Sequence, residues 1–164
     1  MQKHDEEEIT VGEFVEMVCG LRAGCSGVAL GEGANASLSQ PELLRYGHFR
    51  GWLEDSDERH PESLLNRQTA ARIIHQFMVI ELHMPDLEDI SAAEKLRDLY
   101  TCRVCANHIA QVYARGIMGA EEVLSGDAAA TQSILIFNHL GRMSYREARE
   151  AMERLRSSSE GMSE

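Results

Sequence analysis

Three short segments share one local grammar, and that repetition constrains the chain more than any other feature. They are Ile9-Thr10-Val11-Gly12-Glu13-Phe14, Leu65-Asn66-Arg67-Gln68-Thr69-Ala70 and Met143-Ser144-Tyr145-Arg146-Glu147-Ala148. Each places an apolar residue before Thr10, Asn66 or Ser144, side chains whose oxygen accepts a backbone N–H of a helix's first turn. The outer two add a glutamate three residues on, the T-x-x-E and S-x-x-E capping box. An apolar stripe follows each start: Phe14, Met17, Val18 and Leu21; Ala70, Ile73, Ile74 and Phe77; Ala148, Ala151, Met152 and Leu155. Spacings of three and four make these amphipathic helices starting near 10, 66 and 144.

The intervening chain reads as helical too. The first helix is expected over 11–22. Ser39-Gln40-Pro41-Glu42 is a further start signal, with Pro tolerated in the first turn, and the helix behind it carries Leu43, Leu44, Phe49, Trp52 and Leu53. The central helix is expected over 67–82, before Pro85. A helical stretch from Ser91 leads into 102–115, and Gly116 and Gly119 act as stop signals. Asp127 is read as the cap of a helix over 128–140, with Ile134, Leu135, Phe137 and Leu140 on its apolar side. Nothing alternates with period two for long enough to demand a strand. The expectation is an all-α domain, a bundle of about six to eight helices over 9–156. Residues 1–8 are read as a disordered tail, 157–164 as a frayed one, and 23–38 as a Gly/Ala/Ser-rich loop.

Composition narrows the function. At 164 residues the chain fits one domain. Sixteen basic against 27 acidic residues give a formal charge of −11, which argues against a nucleic-acid binder with its basic stripe. No apolar run is long enough for a membrane span. The N-terminal MQKHDEEE lacks the basic and apolar regions of a secretory signal, so the chain as given reads as cytoplasmic, or as cell-surface where a signal has been removed. Cys19, Cys25, Cys102 and Cys105 are too sparse for a disulfide scaffold and are read as mostly reduced.

The repeated starts, and the text between them, resemble the S-layer homology family. That family's I-T-R-A-E-F stretch has counterparts in Ile9–Phe14, Leu65–Ala70 and Met143–Ala148. Asp89-Ile90 is similar to its opening Asp-Val, and Ala106–Ala110 with Gly116–Gly119 to its W-A-x-x-x-I … G-I-M-x-G. The signature arginine has a counterpart in Arg67, with Val11 and Tyr145 at the other two positions. Thr69 replaces the glutamate in the middle copy, and extra residues including Cys102 and Cys105 precede Ala106. The resemblance implies a pseudo-threefold helical bundle of three repeats that holds anionic cell-wall polysaccharide.

Two groups of residues are candidate sites. Arg67 lies at a helix start, where the dipole and free N–H groups favour an anion, with Asn66 beside it; a carboxylate-paired arginine and a simple cap are the alternatives. Cys102, Cys105 and His108 have donors for zinc, and C-x-x-C suits a redox pair, but their place on an apolar helical stripe favours buried structural thiols. No G-x-S-x-G, phosphate-cradling glycine loop or H-E-x-x-H is present, so no enzyme class gains support. The expectation is a non-catalytic binding module with a cell-wall polysaccharide as ligand and no cofactor. A cytosolic protein–protein interaction domain and a thiol-metal or redox protein are the alternatives. The sequence does not determine the oligomeric state.

Overall fold

The computed structural model describes residues 5–21, 38–127 and 129–161. The loop reading for 23–38 therefore lies outside the described residues except at Leu38, as do the ends of both tails. Thr10 accepts the Glu13 N–H and receives the Glu13 carboxylate on its own backbone, opening α1 (Val11–Cys19). Ser39 and Glu42 do the same for α2 (Gln40–Arg50). A short α3 (Asp55–Arg59) leads to Asn66, whose side chain accepts the Thr69 N–H and starts α4 (Arg67–Ile80). After α5 (Ser91–Glu94) and a 3-10 turn at Leu99–Thr101 comes α6 (Arg103–Ala114). Strands β1 (Glu121–Ser125) and β2 (Gln132–Ile136) form an antiparallel hairpin, with Val123 opposite Ile134. The last helix, α7 (Tyr145–Gly161), begins behind Ser144, which accepts the Glu147 N–H at 3.2 Å.

The hairpin overturns the all-α expectation: of the helix read over 128–140, residues 129–140 are a turn, a strand and a loop. Asp127 does accept backbone N–H groups, those of Ala129 and Ala130 at 3.0 Å. It does so in a tight turn beside Gly126, which has a φ of +110°, so the cap chemistry serves a reversal and not a helix. Val123, Ile134 and Ile136 are β-branched and pair on a pleated surface. A short apolar run such as Ile134–Phe137 cannot be assigned by periodicity alone. Tertiary contacts settle it. Arg97 N–H donates to Leu135 C=O at 2.8 Å, and the Asp98 carboxylate accepts the N–H groups of Phe137 and Asn138 at 2.7 and 2.8 Å. Leu140, assigned to the apolar side of that helix, is 71% exposed.

The three repeated starts meet at the centre of the molecule. Ile9 N–H donates to Met143 C=O at 3.0 Å, Leu65 N–H to Ile9 C=O at 2.8 Å, and Met143 N–H to Leu65 C=O at 3.1 Å. This is a closed ring of three hydrogen bonds around a pseudo-threefold axis, and all three side chains are buried. Two further sets close the same threefold arrangement in the opposite sense. Val11, Arg67 and Tyr145 donate to the carbonyls of Ser63, Gly141 and Glu7; Gly12, Gln68 and Arg146 donate to those of Pro61, His139 and Asp5. Helix starts carry backbone donors with no intrahelical partner. In each repeat the first two are taken by the neighbouring repeat and the third by the cap side chain.

A second internal likeness links α2 to α6. Each ends at a glycine with positive φ, Gly51 at +96° and Gly116 at +76°. Two apolar residues then fold back onto one helix carbonyl: Trp52 and Leu53 onto Gly47, Ile117 and Met118 onto Val112. A Cβ on Gly47 would stand 2.6 Å from Leu53 Cδ1, so glycine admits the close return. The chain therefore contains α2–α3–cap–α4 and α6–hairpin–cap–α7 as two versions of one unit, with α1 supplying the remaining capped helix. One apolar core joins them, including Phe14, Trp52, Phe77 and Phe137. Among the described residues no helix is long and apolar enough to cross a membrane.

Candidate functional site: the furrows between repeats

Residues two and four beyond the ring residue face one another where neighbouring repeats meet, and furrows open at the first–second and second–third seams. Between the second and third repeats these are Arg67 and Glu147, with Nη1 and Oε2 3.0 Å apart. Between the third and first they are Tyr145 and Glu13, joined by a hydroxyl-to-carboxylate hydrogen bond. Burial and the Glu13 carboxylate both push the Tyr145 hydroxyl pKa upward. Between the first and second repeats Val11 and Thr69 line the same furrow with no such ionic pair.

Arg67 is built into the fold. Its Nε donates to Phe137 C=O at 2.8 Å and its Nη2 to Gly119 C=O at 2.6 Å, in addition to the Glu147 bond. The guanidinium also lies over the Phe137 ring, 4.6 Å from its centroid. The residue is 8% exposed; burial lowers its pKa and Glu147 counters that. The backbone donors read as an anion site at this helix start are already engaged. The N–H groups of Arg67, Gln68 and Thr69 already donate to Gly141, His139 and Asn66. Asn66 is a cap that also borders the first furrow.

That first furrow encloses about 520 Å³. It is lined by Val11 of α1, by α3 and the residues flanking it, by Asn66, Gln68 and Arg72 at the start of α4, and by the start of α6. Arg72 is gripped bidentately by Asp57, at 2.8 and 2.9 Å, and Asp57 is buried. Cys102 and Cys105 border the furrow as a disulfide with a Cα–Cα distance of 5.2 Å. This corrects the reading of reduced structural thiols. Cys102 is the N-cap of α6 and Cys105 its third residue, so the pair opens the helix, whereas the sequence reading placed it inside. Neither is fully buried, whereas Cys19 is buried. A disulfide sulfur is not the thiolate that a zinc site requires. Among the described residues no group of three or more His, Cys, Asp or Glu is placed to hold a metal ion.

His108 shares this furrow and belongs to a chain of three polar groups. Its Nδ1 lies 2.8 Å from His75 Nδ1, and His75 Nε2 lies 2.7 Å from Asp86 Oδ1. Asn107 donates to the other Asp86 oxygen at 3.1 Å. Burial raises the Asp86 pKa, but the hydrogen bonds from His75 and Asn107 outweigh it and hold the carboxyl below its usual value. Burial, followed by the charges of His75 and Arg72, pushes His108 down to about 4. When both rings are neutral, His75 donates Nε2–H to Asp86 and accepts Nδ1–H from His108, which leaves His108 Nε2 with a free lone pair. His75, Asp86, Arg72 and Asp57 carried no sequence signal as a site, because packing of α4 against α6 brings them together. Comparison of the chain with known families, curated proteins and solved structures gives no match.

Proposed function

We propose that the protein is a binding module, divergent from the S-layer homology modules it resembles, whose ligand lies in the furrow between the first and second repeats. The observation that carries this reading is the cyclic backbone ring, which sets the repeats side by side and leaves elongated furrows between them. The first furrow offers the amides of Asn66 and Gln68, the hydroxyls of Ser63 and Thr69, and the charge-paired Arg72. Closely spaced planar amides and hydroxyls suit the hydroxyl groups of a saccharide chain. Arg67 and Arg72 are matched by carboxylates and the chain carries a formal charge of −11. Both favour hydroxyl recognition over dependence on an anionic polymer.

Sedimentation of the full chain with Gram-positive cell walls tests the proposal. The expected outcome is co-sedimentation by wild type that persists in high salt and weakens in Gln68→Ala. Arg154→Ala, in the second furrow, should bind as wild type. Failure of wild type to sediment overturns the reading. Binding that collapses with salt moves it back to an anionic polymer.

A further inference from the structure

The Cys102–Cys105 disulfide stands where thiol chemistry is favoured, and a binding role for the furrow does not explain it. Three features converge there. First, Cys102 holds the N-cap position of a twelve-residue helix, with no side-chain hydrogen bond to the first turn, and a sulfur at that position lies near the positive end of the dipole, which stabilises a thiolate. Second, the pair borders an open furrow of about 520 Å³, and Val104 between the two cysteines is 85% exposed. An approaching polypeptide has room and an apolar foothold beside the sulfurs. Third, His108 lies three residues beyond Cys105, so the two are neighbours on the helix surface, and the Asp86–His75–His108 chain ends beside the pair.

We propose that Cys102 and Cys105 form a thiol–disulfide exchange site whose substrate is a cysteine-bearing segment of another protein. A substrate thiolate attacks Cys102 Sγ. The new bond joins substrate sulfur to Cys102, the Cys102–Cys105 bond breaks, and its electron pair leaves on Cys105. A second substrate thiolate attacks the substrate sulfur of the mixed disulfide and expels Cys102 as a thiolate. Two substrate thiols thereby become one disulfide, and both electrons reside on the cysteine pair. The two protons lost by the substrate go to the pair and to solvent. His108 takes the proton from the attacking substrate thiol, is held in its charged form through His75 by Asp86, and returns the proton to the Cys105 thiolate as it leaves. In the reverse direction the dipole-stabilised Cys102 thiolate attacks a substrate disulfide and Cys105 resolves it. This chemistry is independent of any saccharide in the furrow.

The test uses the full chain with Cys25→Ser and a series of reduced/oxidised glutathione mixtures, read by acid quench, alkylation and mass. The pair is expected to pass from disulfide to dithiol within the series. With Cys105→Ser, a glutathione adduct should form on Cys102 about tenfold faster than one forms on Cys105 with Cys102→Ser, because the cap sulfur has the greater thiolate fraction. His108→Asn should slow reduction of the wild-type pair several-fold and leave the circular dichroism spectrum unchanged. A pair that stays wholly oxidised or wholly reduced across the series overturns the proposal, and that measurement stands even where a serine variant does not fold. Equal adduct rates on the two cysteines also overturn it.

Discussion

The Arg67 furrow and the Cys102–Cys105 furrow are neighbours around one axis, yet polar residues serve opposite ends in them. Arg67 has every guanidinium nitrogen engaged: two bind carbonyls from distant parts of the chain and one binds Glu147. It ties α4, the loop after α6, the end of the hairpin and α7 into one body. In the other furrow the Arg72–Asp57 pair is likewise buried, but the cysteine pair is not. The disulfide is partly exposed, and the His75–His108 contact terminates at an open cavity. An arginine in a motif is thus no guide to a ligand site until the occupancy of its donors is known. A cysteine on an apolar stripe is no guide to burial until its position along the helix is known.

The largest expected effect comes from breaking the closed side of that contrast. Arg67→Ala leaves the Phe137 and Gly119 carbonyls and the Glu147 carboxylate without their partner, and should destabilise the fold by about 3 kcal/mol or more. Urea unfolding measures it, and a loss under ~0.5 kcal/mol would show that Arg67 is not structural. Arg67→Lys should recover only part, since one ammonium cannot reproduce the three-way fork.

Reduction of the Cys102–Cys105 bond should do less. A loop this short constrains the unfolded chain little, and the entropic gain is at most roughly 2 kcal/mol. Thermal melts with and without reductant should differ by that amount while the fold persists. Loss of helical signal on reduction would make the disulfide a structural staple and erase the contrast.

Cap removal comes next. Asn66→Ala and Ser144→Ala should each cost about 1 kcal/mol, because the backbone ring keeps the first two donors of each helix satisfied even without the cap. Equal losses at the two sites would sharpen the pseudo-threefold equivalence; a much larger loss at one would break it.

The subtlest effect is on pH dependence. His108 titrates near 6.5 in the unfolded chain and at about 4 in the fold. Between those values the unfolded state binds the proton and the folded state does not, so stability declines as pH falls from 6.5 toward 4. Asp86 acts lower: its folded pKa lies below 3.8, so its contribution is present above that value and is lost beneath it. His108→Asn should flatten the upper window and leave the lower one. An unchanged profile between pH 4 and 6.5 would mean His108 is as solvated in the fold as in the unfolded chain.

Helix starts were legible because an N-cap is local: Thr10, Asn66 and Ser144 each act on a backbone N–H three residues away, within sequence reach. Gly116 was legible as a stop signal for the same reason, although the likeness of Arg50-Gly51-Trp52-Leu53 to Arg115-Gly116-Ile117-Met118 went unread. The hairpin was not legible. Asp127 caps a turn as readily as a helix, and Ile134–Phe137 fits either; Arg97 and Asp98, more than thirty residues away, decide between them. The site was legible in part. The sequence supplied C-x-x-C and His108, but the partners His75, Asp86 and Arg72 arrive through helix packing.

By itself, then, the sequence determined where the three capped helices begin and which face each buries, since capping and amphipathic spacing act over one or two turns. Only the tertiary structure decided what the starts are for. Their leftover backbone donors are satisfied by one another around a closed ring, and that closure is what takes Arg67 out of solvent and leaves the cysteine pair at an open edge.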